Sequence, residues 1–320
     1  MSYVLGIDGG GTSTVCLLAD GEGRVIARAD APASNYRKAD LRGAQEALSA
    51  GVSTVTGRAG INPAGDARPR LAALCAGLAG VDTDADAALL HQLLSVVVRT
   101  ECLLVVNDGE VALHGALGEE PGVLVNSGTG SIVWAAGRDG RRLRVGGWDY
   151  ILGDEGSGYQ TGLRALRAVA AAHDGRGSPT TLTAAVLDAF DARDFDELLG
   201  RVYHEEMTPQ RIASLAALAD ASAAGGDDAA ARLVDESAAE LAQLTHAAVR
   251  LAGLSDSAFS VVAQGGCLRA AGRFAERFRA HVLAAEPGAH FDAPRRSPAE
   301  GAVLLALREL KRAGDAVAAR

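Results

Sequence analysis

Hydrophobic residues along this chain fall into two alternating kinds of segment. Short runs of apolar and β-branched residues end at a glycine or an acid, as in YVLGID, CLLVVND, GVLVNSGTG and FSVVAQGG. Longer stretches rich in alanine and leucine repeat their apolar positions with a helical period, as over 44–55, 85–98, 163–172 and 227–251. Strands that alternate with helices predict an α/β architecture with mainly parallel sheets.

Two parts of the chain open in the same way. Segments 4–8, 15–19 and 24–29 predict an antiparallel meander with turns at DGGG and ADGEG. WAAGRDGRRLRVGG predicts another hairpin, which turns at Asp139-Gly140. We therefore predict one topology used twice, from Val4 and again from Val123. The polar region 174–210 predicts either a surface connection or a small helical insertion.

Composition narrows the class of protein. The chain has 320 residues, 48% of them hydrophobic and 22% charged, which fits a globular protein of two ordinary domains or of one large domain. The net charge of −9 argues against nucleic acid or an anionic membrane as the main partner. No apolar run is long enough for a transmembrane helix, and no secretory signal is recognisable, so we expect a cytoplasmic protein. The four cysteines form no CxxC pair, which predicts reduced thiols and no zinc or iron–sulfur framework.

The first glycine-rich turn, in VLGIDGGGTST, is the first candidate for chemistry. It nearly matches a Walker A loop, but Thr12 stands at the lysine position and a hairpin follows. Glycines have no side chain, so their backbone N–H groups can approach phosphate oxygens, and the turn is a candidate phosphate-binding loop. The alternative interpretation is a hairpin turn that binds no ligand. Asp8 ends the preceding strand, and an acid beside phosphates requires a cation, so we infer Mg²⁺ there. For Asp8 the alternative is a turn acid that accepts backbone hydrogen bonds.

A second candidate is Asn107-Asp108, which follows the apolar run CLLVV. An aspartate at the carboxyl end of a strand lies where α/β proteins place their active sites, and it is a suitable general base. The alternative is that Asn107 or Asp108 caps the helix predicted over 109–117.

Three later segments add glycine and hydroxyl groups. NSGTGS, over 126–131, predicts a second anion-binding turn and lacks the GxSxG pattern of a hydrolase. GGWDYILGDEGSGY places aromatic rings beside acids, a combination suited to sugar recognition. VVAQGGC places Gly265-Gly266 at a strand-to-helix turn, where a flat ring or a phosphate would approach closely; a plain helix entry is the alternative.

Taken in order, these motifs resemble a known family. GIDGGGTST, GLAGVD, VNDGEVALHGAL, SGTGS, GGWDYILGDEGSGY and PAEGAVLLAL resemble the N-acetylglucosamine kinase branch of the BadF/BadG/BcrA/BcrD ATPase family, over residues 4 to about 307. The resemblance implies an actin-like ATPase fold with two ribonuclease-H-like lobes and a cleft between them. It divides the chain into an N-terminal lobe (1–118), a C-terminal lobe (119–298) and a last helix (299–320) that returns to the first lobe. The resemblance also implies a homodimer.

The resemblance also implies roles for individual residues. The nucleotide would be ATP with Mg²⁺, and its phosphates would lie on Gly10, Gly11, Thr12, Ser13, Thr129 and Gly130. Asp8 would face the Mg²⁺ ion, through water, and Asp108 would be the catalytic base. Gly265 and Gly266 would lie beside the adenosine. Sugar contacts would come from Asn35, Asn107, Gly147, Trp148, Asp149 and Asp154.

Two positions depart from the family pattern. Ser13 stands where many relatives have lysine or arginine, so one positive charge near the phosphates is missing. Asp149 stands in GGWD where relatives often have GGWG. An extra acid near the sugar would pair with a free 2-ammonium group and favour glucosamine, unless Asp149 only faces solvent in a turn.

The resulting functional prediction is an ATP-dependent kinase that phosphorylates the 6-hydroxyl of an amino sugar, N-acetylglucosamine above all. A glucosamine kinase is the first alternative, and a non-catalytic sugar or nucleotide sensor is the second. An activator of 2-hydroxyacyl-CoA dehydratases is disfavoured because no two cysteines are suitably paired. The fold alone decides little about substrate, since it hosts several kinase activities.

Overall fold

The computed structural model describes residues 2–61, 68–204, 207–269 and 271–318. The chain divides into two compact units. One unit comprises the residues up to Glu119 together with those from Pro294 onward, and the other comprises Glu120–Ala293. Each unit is built around one five-stranded sheet.

Strands and helices alternate along most of the chain. The first unit begins with β1 (Tyr3–Gly9), β2 (Ser13–Asp20), β3 (Val25–Pro32), α1 (Tyr36–Arg58), β4 (Ala73–Leu78), α2 (Asp84–Val97), β5 (Cys102–Asn107) and α3 (Asp108–Leu117). The second contains β6 (Gly122–Ser127), β7 (Ser131–Ala136), β8 (Arg142–Gly146), α4 (Asp149–Leu152), α5 (Gly158–His173), α6 (Leu182–Ala189), α7 (Phe195–His204), α8 (Pro209–Ala224), α9 (Asp228–Leu251), β9 (Phe259–Gln264), α10 (Gly266–Arg269), α11 (Arg273–Ala285) and β10 (Ala289–Asp292). The last helix, α12 (Pro298–Ala318), belongs to the first unit.

The two sheets share one topology. Their strand orders are β3-β2-β1-β4-β5 and, read in the matching direction, β8-β7-β6-β9-β10. In each sheet the three hairpin strands pair antiparallel and the two strands after them pair parallel. The predicted α/β class and repeated topology are therefore confirmed. The expectation of mainly parallel sheets is wrong, because the three-stranded meander at the start of each sheet contributes two antiparallel pairs, as many as the parallel ones.

Both faces of the first sheet are buried, as the alternation of side chains along a strand allows. Leu5, Ile7 and Leu74 pack on one side, in the cluster that includes residues of α1 and α2. Val4 and Ala73 pack on the other side, in the cluster that includes residues of α12.

Helix α12 approaches its neighbours very closely. A Cβ atom on Gly301 would lie 2.1 Å from the carbonyl oxygen of Val111 in α3. One on Gly6 of β1 would lie 2.6 Å from the carbonyl oxygen of Ala299. Because α12 packs on β1 and α3, it supports the two elements that carry Asp8 and Asp108.

Region 174–210 forms helices rather than an exposed connection. Leu182, Val186, Phe190 and Leu198 are all buried in the core of the second unit. Of the two predicted alternatives, the helical insertion is correct, although Glu205 and Glu206 lie outside the described residues. In the described part of the chain, no helix has both the length and the apolar character required to cross a membrane.

Candidate active site

The turn between β1 and β2 leaves Gly10 partly exposed and Gly11 exposed, whereas Gly9 is buried. The Gly10 N–H donates to the Ser13 carbonyl oxygen (2.9 Å), and the Ser34 N–H donates to the Gly10 carbonyl oxygen (3.3 Å). Gly9 is required by packing, because a Cβ there would lie 2.2 Å from Ser34 Oγ. At Gly10 and Gly11 the nearest atoms to such a Cβ lie at 3.5 and 3.4 Å, and Gly11 is exposed. Internal packing therefore does not explain these two glycines, whereas a ligand that approaches the backbone does.

Thr12 and Ser13 complete the turn, and both are exposed. Ser13 is the first residue of β2, so its backbone belongs to the hairpin. No residue from Gly9 to Ser13 carries a charge. Any positive charge that faces this turn must come from another segment of the chain.

Two carboxylates lie next to this turn in the first unit. Asp8 is on β1, and Asp108 is the first residue of α3. Burial, and secondarily the charge of Asp108, raises the pKa of Asp8 to about 6. Burial raises the pKa of Asp108 as well; the Gly109 N–H bond opposes this shift and the charge of Asp82 adds to it. A buried acid whose pKa is raised further by a neighbouring acid is typical of sites that bind a cation or transfer a proton.

Asn107 takes the capping role that the sequence left open between Asn107 and Asp108. Its Oδ1 accepts from the Gly109 N–H (2.9 Å), and its Nδ2 donates to the Val81 carbonyl oxygen (2.9 Å). Asp108 Oδ1 also accepts from the Gly109 N–H at 2.9 Å. The Asn107 amide is thus committed to holding the end of β5 in place.

Asn35 is the N-cap of α1 and accepts from the Arg37 N–H (3.0 Å). Its Oδ1 lies 3.1 Å from the position of a Cβ on Gly80, whose φ is +94°. Asn35 therefore lies against the loop that follows β4, in the same unit as Asp108.

In the second unit, the β6–β7 turn meets Asp154. The Asp154 side chain lies 2.8 Å from the position of a Cβ on Gly130 and accepts from the Ser131 N–H (3.0 Å). Thr129 is exposed, and its carbonyl oxygen accepts from the Tyr159 N–H (3.2 Å). Burial raises the pKa of Asp154, against the opposing effect of the Ser131 hydrogen bond. The structure thus brings two predicted site residues, Gly130 and Asp154, into contact.

A cavity of about 740 Å³ opens beside the same turn, within the second unit. Gly265 has a φ of +100°, and a Cβ on it would lie 2.1 Å from the Ser127 carbonyl oxygen. Gly266 has no atom within 4 Å of its Cβ position. The cavity walls are mostly small side chains from α8 and the loops before α11, and include Gly128, Thr129, Gln210, Ala213, Ser214, Ala217, Asp220, Gly266, Cys267, Gly272 and Phe274.

Gly147, Trp148 and Asp149 follow β8 in an open turn. Gly147 has a φ of +71°, and Trp148 is 57% exposed with the Arg144 guanidinium 4.4 Å from its ring centre. Asp149 is exposed with a φ of +67°, and its Oδ1 accepts from the Tyr150 N–H (2.8 Å). A glycine would adopt this conformation more easily, so Asp149 has a local role in the turn.

Three residues that sequence reasoning missed lie at these places. The charge of Asp82 raises the pKa of Asp108. The motif GLAGVD, which ends at this residue, was the available signal. Glu155 has a buried Oε2 without a hydrogen-bond partner in the described structure, and it lies near Gly153. Its position beside Asp154 in LGDEGSGY was the available signal. Lys38 lies against Gly11, and no local pattern pointed to it.

The repeated sheet with glycine-rich hairpin turns places the protein in the class of actin-like ATPase folds. A glucokinase of the ROK family from Streptomyces griseus, 18% identical, has the same fold, with a TM-score of 0.53 over 95% of this chain and 98% of that one. The chain belongs to the BadF/BadG/BcrA/BcrD ATPase family, whose sequence profile matches residues 5–306.

The chain is similar to three curated sugar kinases, two of which match nearly its whole length. The N-acetylmuramic acid/N-acetylglucosamine kinase of Clostridium acetobutylicum is 29% identical over 97% of this chain and 99% of its own. The N-acetyl-D-glucosamine kinase of Dictyostelium discoideum is 31% identical over 96% and 98%. The glucosamine kinase GspK of Vibrio cholerae is 28% identical over 75% and 78%. A solved structure from Chromobacterium violaceum, provisionally named an N-acetylglucosamine kinase, is 30% identical with a TM-score of 0.72 over 95% and 99%.

Proposed function

We propose that this protein transfers the γ-phosphate of ATP to the 6-hydroxyl of an amino sugar, and that N-acetylglucosamine is its substrate. The observation that carries the proposal is the placement of Asp108. It is a partly buried carboxylate at the start of α3, and its charge raises the pKa of Asp8, the carboxylate that precedes the glycine-rich turn in the same unit. Family membership and the kinase names of relatives over the full length support the same reaction.

In the proposed mechanism, Asp108 orients the sugar hydroxyl and accepts its proton. A raised pKa suits this role, because a carboxylate of higher proton affinity is a stronger base near neutral pH. Asn107 and the Gly109 N–H hold Asp108 at the start of α3. Phosphoryl transfer depends mainly on positioning and on charge neutralisation, so a fixed carboxylate is sufficient protein chemistry on the acceptor side.

The residues of the first unit fit a magnesium ion that is also held by the nucleotide. Asp8 offers carboxylate oxygens and forms no ion pair with the described residues. No group of three metal-ligating side chains occurs in the described structure, so phosphate oxygens and water must complete any such site. Mg²⁺ supplies charge neutralisation for the transferred phosphoryl group. We assign Asp8 to the side of this ion and the turn from Gly10 to Ser13 to the phosphates.

We assign the adenosine to the cavity of the second unit. Its walls of glycine and alanine leave room for a flat ring, and its volume of about 740 Å³ lies within the range of small-ligand pockets. Thr129 and Gly266 line this cavity. We assign Thr129 and Gly130 to the second phosphate contact, and Gly265 and Gly266 to the adenosine.

For the sugar we assign the polar groups next to the two turns. In the second unit we assign Asp154, Gly147 and Trp148 to the sugar. In the first unit we assign Asn35 to it, with Asn107 acting by fixing the strand end. Glu155 joins them because a buried carboxylate oxygen without a partner is costly unless a ligand hydroxyl binds it. Asp149 is exposed and bonded within its own turn, which favours the N-acetyl sugar over glucosamine.

A coupled ADP-release assay with Mg·ATP and a panel of sugars tests the proposal. The panel holds N-acetylglucosamine, glucosamine, N-acetylmuramic acid, N-acetylmannosamine and glucose, and ADP release without sugar is the blank. We expect the highest kcat/KM with N-acetylglucosamine. A preference for glucosamine would overturn the choice of sugar and make Asp149 its partner. Nucleotide binding without turnover on any sugar would overturn the kinase and support a sensor.

A further inference from the structure

Lys38 lies along the predicted phosphate turn. Its Nζ, Cδ and Cε atoms lie 3.4, 3.7 and 3.9 Å from the position of a Cβ on Gly11. The end of the lysine side chain therefore passes directly beside a glycine that is exposed and has no packing requirement of its own. Any group that binds the backbone of this turn meets the Lys38 ammonium group.

The segment that carries Lys38 is fixed to the same turn. Buried Ser34 donates its N–H to the Gly10 carbonyl oxygen (3.3 Å), and its Oγ accepts from Thr14 Oγ1 (2.8 Å). Asn35 then caps the first turn of α1, and Asp40, with a φ of 57°, interrupts that helix two residues after Lys38. Lys38 is thus held in a short helical turn whose position is set by the hairpin.

Arg37, the basic residue next to Lys38, is paired with acids. Arg37 forms ion pairs with Asp82 (3.1 Å) and Asp86 (3.0 Å), which hold α1 against the start of α2. Lys38 forms no ion pair with any of the described residues and is exposed. One basic residue of this pair is structural, and the other has a charge that no described acid neutralises.

The choice of lysine is itself unusual for this chain. Of its 31 lysine and arginine residues, only Lys38 and Lys311 are lysines. A compact ammonium with three donors suits a single phosphate in a narrow turn, whereas the arginine fork suits carboxylates and paired contacts.

We propose that Lys38 binds the terminal phosphate of the nucleotide at the β1–β2 turn, and so supplies the positive charge that Gly9–Ser13 lack. This inference rests on the proposed function for the identity of the nucleotide. It makes Lys38 a substrate-binding residue that also stabilises the transferred phosphoryl group.

Calorimetric titration of the whole protein with Mg·AMP-PNP and with AMP tests the assignment. Lys38→Met should weaken AMP-PNP binding by about 10- to 100-fold, as expected for the loss of one charge-assisted hydrogen bond, and leave AMP binding unchanged. Lys38→Arg should recover most of the difference. Lys311→Met is the matched control, because Lys311 is the other lysine and is exposed on α12. Equal weakening of both nucleotides, or of neither, would overturn the role.

Amine acylation followed by mass spectrometry gives an independent test on the unaltered protein. The chain has only two lysines, so mass spectrometry measures the acylation of each one separately. Mg·AMP-PNP should protect Lys38 and leave Lys311 reactive, whereas AMP should protect neither. Protection of Lys38 without turnover on any sugar would support this inference and overturn the kinase. Turnover together with an unprotected Lys38 would support the kinase and overturn this inference.

Discussion

The β1–β2 and β6–β7 hairpins occupy equivalent places in their sheets, but different groups lie at their turns. Asp8 is in the second-last pair of its ladder, opposite Val15, and the equivalent place in the second hairpin holds Asn126, opposite Ile132. In the first sheet β5 leads directly into α3 with Asp108. In the second sheet, β9, which occupies the place of β4 rather than of β5, leads into α10 through Gly265.

This difference shows how one topology serves two kinds of chemistry. The first unit places carboxylates together, and burial and the charge of Asp108 raise the pKa of Asp8, so that its ionised form is less favourable in the folded chain than in the unfolded chain. The second unit instead packs backbone closely against backbone, since a Cβ on Gly265 would lie only 2.1 Å from the Ser127 carbonyl oxygen. Under the proposed function, a cation would offset the charge of the first arrangement, and the second would leave space for the adenine ring.

Removing the proposed base should produce the largest effect. Asp108→Asn keeps the size of the side chain but cannot accept the hydroxyl proton, so kcat should fall by about 10²- to 10⁴-fold. The decrease corresponds to about 3–5 kcal/mol of barrier. ADP release in the presence of N-acetylglucosamine measures it. Binding of Mg·AMP-PNP should persist, and a folded variant with near-normal kcat would exclude Asp108 as the base.

Substitutions at two neighbouring glycines of the second unit distinguish a glycine that packing requires from one that borders open space. Gly265→Ala should destabilise the protein by about 3 kcal/mol, because the new Cβ meets the Ser127 carbonyl oxygen and the φ is positive. Gly266→Ala is the matched control and should change stability by less than about 1 kcal/mol, since its Cβ enters open space. Urea unfolding followed by circular dichroism compares them. We also expect Gly266→Ala to raise KM for ATP, and an unchanged KM would contradict the nucleotide assignment.

Converting the first hairpin toward the second should stabilise the protein and inactivate it. Asp8→Asn removes an acid whose pKa is raised from 3.8 to about 6. As pH rises between these values, the unfolded chain loses this proton first, so wild-type stability decreases through that window and stays lower above it. In metal-free buffer at pH 8 the variant should be more stable by about 2 kcal/mol. The gain should shrink toward pH 4.

The stability of Asp8→Asn is measured by urea unfolding with a chelator present. Asp256→Asn, at an exposed loop position, is the control and should show no pH-dependent gain. Kinase turnover of Asp8→Asn with Mg·ATP should fall by at least about 10-fold. An equal gain at pH 4 and pH 8 would show that the stabilisation does not come from the ionisation of Asp8.

Much of the scaffold was predictable because its signals are local. Strand periodicity and glycine turns identified both hairpins, and the strand end at Asp108 was visible in the same way. The helical character of 174–210 was uncertain because Leu182 and Phe190 are buried only in the assembled core of their unit. The contact of Lys38 with Gly11 was not predictable, because it depends on the position of the segment that follows β3 in the folded unit. The individual roles of the site residues stay predictions until the variants are measured.

The smallest expected effect concerns Asp149, and it distinguishes the two candidate sugars. Its positive φ, its exposure and its hydrogen bond to the Tyr150 N–H assign it to the turn. Asp149→Gly should therefore change the ratio of kcat/KM for N-acetylglucosamine to that for glucosamine by less than about 3-fold, a change below about 0.7 kcal/mol. The coupled assay with both sugars measures this ratio. If Asp149 instead pairs with a 2-ammonium group, the glycine variant should lose at least about 10-fold with glucosamine alone, because a charge-assisted hydrogen bond is lost.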